Sequence, residues 1–258
     1  MDITMNGRSA IVTGGSKGIG FAIATRFAES GADVAIVARG AESLDAAVAQ
    51  IKSRAKAKVI GVAADVGTAE GVRDAYDGAM AAFGKLDIAV NNAGTSATGP
   101  FEKLTDAVMQ TDLDLKLFAA IRICRLVWPQ MKERKWGRII NILNVGAKAP
   151  RTNSAPTSIS RAAGMAFTKV LSGEGAPHNV LVNALLVGLI EADQHVQAAK
   201  RKGITVAEHY AAMAKDVPIG RIGRAEEFAN MACFLASDAG SYITGTAINI
   251  DGGRSPVV

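Results

Sequence analysis

Short apolar runs alternate with amphipathic helical segments from one end of this 258-residue chain to the other, and that alternation limits its fold more than anything else in the sequence. The candidate strands run Arg8 to Thr13, Asp33 to Ala38, Lys58 to Ala63, Leu86 to Asn91, Arg138 to Leu143, Val180 to Leu186 and Ala247 to Ile250. Between them, Ile19, Ala22, Ile23 and Phe27 fall on one helical face, as do Ala163, Phe167, Val170 and Leu171, and later Phe228, Met231, Ala232 and Leu235. Strands apolar on both faces, separated by helices, predict a parallel sheet covered on both sides. No Pro/Gly/Ser-rich linker interrupts the pattern, so residues 1–258 are read as a single doubly wound α/β domain of about seven strands. The one long break is Glu191 to Ile219, which is polar, charged and helix-prone. Ligands bind beyond the carboxyl ends of strands in such sheets, so this segment after the sixth strand is read as a lid, approximately residues 190–219.

Composition narrows the setting. Apolar residues make up 49% of the chain, ample for a core, yet no apolar stretch approaches the roughly 20 residues that span a bilayer. Met1 to Gly7 is short and polar and leads into a glycine loop, so no secretory signal is expected. Cys124 and Cys233 both lie in apolar helical patterns and read as packed free thiols, which suits a reducing, cytoplasmic setting. The net charge of +5 is modest, and its densest runs, Lys52 to Lys58 and Lys132 to Lys135, each close a predicted helix, where cations complement the dipole. No nucleic-acid motif accompanies either run, so neither nucleic acid nor membrane is an expected partner.

The first strand runs into Thr13-Gly14-Gly15-Ser16-Lys17-Gly18-Ile19-Gly20 and then a helix. Glycines allow the tight turn and let backbone N–H groups approach a pyrophosphate at the positive helix terminus. Further along stand Asp65-Val66 after the third strand, Asn91-Asn92-Ala93-Gly94 after the fourth and Val182-Asn183-Ala184 in the sixth. Pro218-Ile219-Gly220-Arg221 and Gly245 through Asp251-Gly252-Gly253 complete the series. In order and spacing these stations resemble the short-chain dehydrogenase/reductase family over almost the whole chain. The resemblance implies a Rossmann-type fold that holds a nicotinamide dinucleotide. Gly14, Ser16, Lys17, Gly18, Ile19 and Gly20 would line the phosphates and adenosine ribose, Asp65 and Val66 would flank the adenine, and Asn91, Ala93 and Gly94 would run under the nicotinamide-side ribose. Members that prefer NAD usually carry an acid at the position of Ala38. With Ala38 there, and Arg39 and Lys17 nearby, a 2′-phosphate is favoured, which selects NADP(H) over NAD(H). Arg39 could equally be a solvated residue or stack on adenine.

The same resemblance implies four catalytic positions, and all four are substituted. The family uses a serine at the end of the fifth strand, a tyrosine thirteen residues later, a lysine four beyond it, and an asparagine in the preceding long helix. Here these positions read Asn144, Thr157, Arg161 and Asp114. None of the three tyrosines, Tyr76, Tyr210 and Tyr242, is followed four residues later by lysine. The glycine turn after the sixth strand is Val187-Gly188, with Gly188 at a cofactor-binding position and Glu191 where a threonine is usual. An aliphatic hydroxyl is far less acidic than a phenol, whose pKa is about 10, so Thr157 cannot donate the proton near neutrality. Arg161 keeps a charge that could hold ribose hydroxyls as a planar fork, and Asn144 can donate an amide N–H to a substrate oxygen.

Replacement acids are available in the lid: Glu191, Asp193, His195, His209 and Tyr210, of which His195 titrates nearest neutrality. Asp114 would pair with Arg161 or face the site, and His178, before the sixth strand, reads as structural. Three functions follow in order. The first is an NAD(P)(H)-dependent oxidoreductase acting on a small carbonyl or alcohol with an atypical proton relay. The second is a non-redox lyase or hydratase on the same scaffold, and the third a catalytically silent dinucleotide-binding protein. No metal site is expected. The resemblance also implies a homotetramer or dimer assembled through helices at Asp112 to Arg134 and Thr157 to Gly175 and through the last strand.

Overall fold

The computed structural model describes residues 3–258, and of Asp193 and Gln194 the backbone only. The chain begins β1 (Ser9–Thr13), α1 (Gly18–Glu29), β2 (Asp33–Ala38), α2 (Ala41–Lys52), β3 (Val59–Ala63), α3 (Ala69–Phe83) and β4 (Ile88–Asn91). A two-residue strand β5 (Thr98–Gly99) follows, then α4 (Asp106–Leu113), a π-helical turn (Asp114–Phe118) and α5 (Ala119–Glu133), and then β6 (Gly137–Asn144). The remainder is β7 (Ala155–Pro156), α6 (Thr157–Gly175), β8 (Val180–Val187), α7 (Asp193–Lys202), α8 (Val206–Ala214), α9 (Ala225–Ala236) and β9 (Ala247–Ile250).

Seven strands form one parallel sheet in the order β3-β2-β1-β4-β6-β8-β9. Alternate residues of the inner strands feed two cores. Ala10, Val12, Val34 and Ile36 meet Ile23, Phe27, Leu44, Ile51 and Phe228 of α1, α2 and α9 on one face. Ile11, Ala35 and Val37 meet Val72, Ala75, Ile123, Val127 and Met131 of α3 and α5 on the other. Burial on both faces is what the unbroken apolar strands required. The architecture is the expected single-domain doubly wound α/β fold, with strand ends within two residues of the sequence reading. Among the described residues no helix is long and apolar enough to cross a membrane. Both cysteines are buried and free.

One helical face differs from expectation. In α6 the row turned to the sheet is Ser160, Gly164, Thr168 and Ser172, all buried, while Val170 is 59% exposed and Phe167 and Leu171 are half-buried. Small residues let the helix lie close to β6 and β8: a Cβ at Gly164 would stand 2.8 Å from the Leu143 side chain. The apolar stripe therefore lies along the helix edge, with Phe167 and Leu171 against the α5-side core and Val170 outward. It lines a groove with Ile121, Arg125, Trp128 and Pro129 of α5.

Candidate active site

The chain leaves β1 for β2 and β3 on one side, then returns to place β4 on the other side of β1. Loops beyond the carboxyl ends of β1 and β4 diverge there and open a crevice. It holds a cleft of about 330 Å³ lined by Gly14 and Ser16 after β1, Arg39 and Ser43 after β2, Asp65 and Val66 after β3, and Ala93, Gly94 and Thr95 after β4. Leu115 closes one side. Seven of the predicted cofactor residues thus meet in one cleft. Lys17, Gly18, Ile19 and Gly20 open α1 beside it.

The loop's shape follows from its glycines. Gly14 and Gly18 have φ of +65° and +55°, a region that side chains rarely adopt. At Gly20 a Cβ would run into the Gly14 carbonyl and the Asn92 side chain. The first-turn N–H groups of α1 receive no side-chain cap from Lys17 and the turn carries no acidic residue, so its positive end is left for an anion. Thr13 and Asn92 lock the two diverging loops together. The Thr13 hydroxyl donates to the Val90 carbonyl (3.3 Å) and accepts from the backbone N–H groups of Asn92 (3.0 Å) and Ala93 (3.1 Å). Asn92 Nδ2 donates to the Thr13 and Gly14 carbonyls at 3.0 and 3.1 Å. Neither residue was singled out for a role from sequence, although both stood within the quoted motifs.

Asn91 corrects part of the expectation. Its side chain points into the sheet core, donating to Asn141 Oδ1 at 2.8 Å, and its own Oδ1 is buried without a partner. Asn91 is not among the residues lining the cleft. Gly188 is not among the residues lining the cleft: its N–H donates to the Ile250 carbonyl, and a Cβ there would stand 2.5 Å from Asp251. Close approach to the C-terminal segment is what this glycine provides.

At the far end of the cleft, α4 to α6 assemble a buried polar cluster. Asp112 accepts from Lys116 Nζ and from the Ser160 hydroxyl (2.6 Å). Lys116 Nζ also donates to Thr157 Oγ1 at 2.8 Å. Arg161 donates to the Ile142 carbonyl at 2.9 Å and presses against Gly94, where a Cβ would stand 2.6 Å from its guanidinium. Burial lowers the Lys116 pKa from the usual lysine range, opposed by its hydrogen bond to Asp112 and reinforced by Arg161. Burial also brings Arg161 down to about 10, partly offset by Asp112, which leaves it charged at neutral pH. Asn144 Oδ1 is buried without a hydrogen-bond partner.

Two expectations change here. Asp114 does not join the cluster: it pairs with Arg122 (3.2 Å) and accepts from Gln110 on an exposed flank. Residues two apart on a helix point in nearly opposite directions, whereas Asp112 and Lys116 are an i,i+4 pair on the inward face. Thr157, in turn, has no capacity left for a substrate. Its hydroxyl donates to the Ala97 carbonyl (2.7 Å) and accepts from the Ala97 N–H (3.0 Å) as well as from Lys116. It is a fastener between α6 and the β5–β7 ribbon.

The family model described as "Enoyl-(Acyl carrier protein) reductase" matches residues 14–255. The 3-oxoacyl-[acyl-carrier-protein] reductase of Aquifex aeolicus is 32% identical over 98% of this chain and 99% of that protein. The chain belongs to the short-chain dehydrogenase/reductase family. Within this family it is also similar to the NADPH-dependent reductase BacG of Bacillus subtilis, 33% identical over 96% of this chain and 98% of that one. The L-sorbose reductase of Gluconobacter frateurii, solved with NADPH and L-sorbose, superposes with a TM-score of 0.95 at 34% identity, covering all of both chains.

The short-chain dehydrogenase/reductase fold places the predicted lid beyond β8, where it is built of α7 and α8 and tied back by a bridge between Ile190 and Gly223. His195, His209 and Tyr210 pack together there, with the two imidazole centroids 5.9 Å apart. Burial, aided by His209, lowers the His195 pKa. Tyr210 and the exposed Glu191 line a separate cavity of about 580 Å³ with Arg221 and Arg224. The side chain of Asp193 lies outside the described residues. His178 sits in the turn before β8.

Sequence reading missed Asp112, Lys116 and Ser160. The Asp-x-x-x-Lys spacing carries the signal, because helix period alone puts both charges on one face. Nothing local showed that this face would be the buried one.

Proposed function

We propose that the protein is an NADP(H)-dependent oxidoreductase for a small carbonyl or alcohol substrate, in which the substrate proton does not come from a phenol. The observation that carries this reading is the cleft at the β1/β4 divergence. Its cradle is shaped by glycines that a Cβ would fill, and Arg39, Ser16 and Ser43 line it with Ala38, not an acid, at the end of β2, which favours a 2′-phosphate. The donor set fits the group: Gly14 to Gly20 and the start of α1 for the phosphates, Asp65 and Val66 beside the adenine, and Ala93, Gly94 and Arg161 toward the nicotinamide. Similarity to proteins described as NADPH-dependent, or solved with NADPH, supports the same choice. Bound there, the nicotinamide supplies or accepts a hydride.

The chain's own residues then orient the substrate oxygen and stabilise its charge. The family positions for serine, tyrosine and lysine hold Asn144, Thr157 and Arg161. Asn144 offers an amide to the oxygen, Arg161 contributes a fixed positive charge behind Gly94, and water delivers the proton. General acid catalysis is worth about 10²–10⁴-fold, less than proximity can supply, so a slow reduction of reactive carbonyls is retained without it. We also propose a homo-oligomer through α5 and α6, whose groove is lined by Ile121, Trp128, Phe167 and Leu171, with Val170 and Ile159 of α6 exposed nearby on the helix surface at 59% and 48%.

Mixing the protein with NADPH and a panel of activated ketones and quinones tests the reading. Loss of nicotinamide absorbance that depends on substrate is expected. Turnover without an absorbance change would instead indicate lyase or hydratase chemistry. Tight NADPH binding with no turnover would indicate a silent binder.

A further inference from the structure

We propose that Lys116 is a positioning residue for the nucleotide cleft: its ammonium, held by Asp112, fixes the Thr157 hydroxyl and through it the stretch from Ala93 to Ala97 that walls the cleft. The proposal rests on the dinucleotide reading above.

Lysine is almost never fully buried unless paired, yet the Lys116 side chain is 1% exposed. A hydrocarbon of similar length would fill the space without the desolvation that a charge suffers, so the ammonium contributes something other than packing. What it contributes is direction. A hydroxyl has one proton and two lone pairs, and at Thr157 all three are engaged. An N–H from Lys116 on one lone pair and the Ala97 N–H on the other leave the hydroxyl proton only the Ala97 carbonyl. Ala97 is therefore gripped through both its N–H and its carbonyl, and the Thr157 backbone N–H adds a further bond to the same carbonyl at 3.3 Å.

The other end of the stretch is gripped in the same manner, by the Thr13 hydroxyl on the Ala93 N–H. Between these two threonine fasteners lie Ala93, Gly94 and Thr95, which line the cleft. Behind Gly94 stand the Arg161 guanidinium and the Lys116 Cγ, so the wall has no room to retreat while both side chains are in place. The charged groups around Nζ are Asp112 from its own helical run and Arg161 from α6. The β5–β7 ribbon contributes only neutral groups to this contact.

Calorimetric titration of NADPH into the full-length protein, with thermal melting in parallel, decides the matter. Lys116→Met and Thr157→Val should each weaken NADPH binding by about tenfold, the double variant should be no weaker than either single, and Thr157→Ser should restore wild-type affinity. Thr157→Val leaves the Asp112 pair untouched, so the comparison stands even where Lys116→Met does not fold. NADPH affinity within twofold of wild type in Thr157→Val, with only the melting temperature lowered, overturns the proposal. So do additive losses in the double variant. Failure of the wild-type protein to bind NADPH would overturn the dinucleotide reading itself, which the variants alone cannot do.

Discussion

Each end of the sheet carries a buried carboxylate facing two cations, and the two ends solve the electrostatic problem differently. At the amino rim, Asp87 is 1% exposed and reaches Lys85 at 2.8 Å and Arg134 at 3.2 Å, but those side chains are 39% and 31% exposed. At the carboxyl rim, Asp112 faces Lys116, which is as buried as itself, and Arg161, whose pKa burial lowers to about 10. Water screens both cations at the first end, whereas at the second Asp112 and Lys116 are sealed from it. In the amino-rim cluster Asp87 also accepts from the Ser9 N–H at 3.1 Å. The carboxyl-rim cluster stands behind the wall of the cleft.

The contrast is open to measurement, beginning with the largest effect. Asp112→Asn strands the buried Lys116 ammonium, and urea denaturation should show a loss of about 3–5 kcal/mol. Asp87→Asn lets its partners return to water and should cost about 1 kcal/mol. Equal losses would erase the distinction between the rims.

A smaller effect is the pH dependence. The Lys116 pKa lies below its unfolded value of 10.5, so the unfolded chain binds more protons in the window between the two. Wild-type stability relative to Lys116→Met should therefore rise as pH increases toward 10.5. A falling difference would mean that Asp112 stabilises the ammonium more than burial opposes it.

The smallest effect is that of salt. At 1 M ionic strength the screening length is about 3 Å. The stability difference between wild type and Asp87→Asn should shrink by a few tenths of a kcal/mol, about the scale of exposed ion pairs. The Asp112→Asn difference should not move. Salt sensitivity at the carboxyl rim would show that water reaches it.

The two halves of the cleft were not equally legible in the chain. In the nucleotide half, Gly14 to Gly20 were legible because a tight backbone turn writes itself into glycine spacing, whereas Asp65 and Ala93-Gly94 came only from the family resemblance. The reacting half was read from the resemblance alone, and the structure gives Asp114 and Thr157 other partners. Asp114 was assigned inward on its distance from neighbouring motifs, while helix period places Asp112 and Lys116 on the face that meets α6. Thr157 stands at the station of the family's tyrosine, and only the antiparallel pairing of Thr98-Gly99 with Ala155-Pro156 brings Ala97 to its hydroxyl. On α6 the apolar stripe is only half-buried, since the small residues Gly164 and Thr168 make the closer packing surface.

Periodicity and turn chemistry, both local, were enough to determine the seven parallel strands, their helices and the anion-binding loop at α1. Which polar side chains end up sealed together was decided by tertiary structure alone. That outcome depends on helices α4 to α6 meeting across segments far apart in sequence, where burial, not residue type, sets how strongly each charge acts.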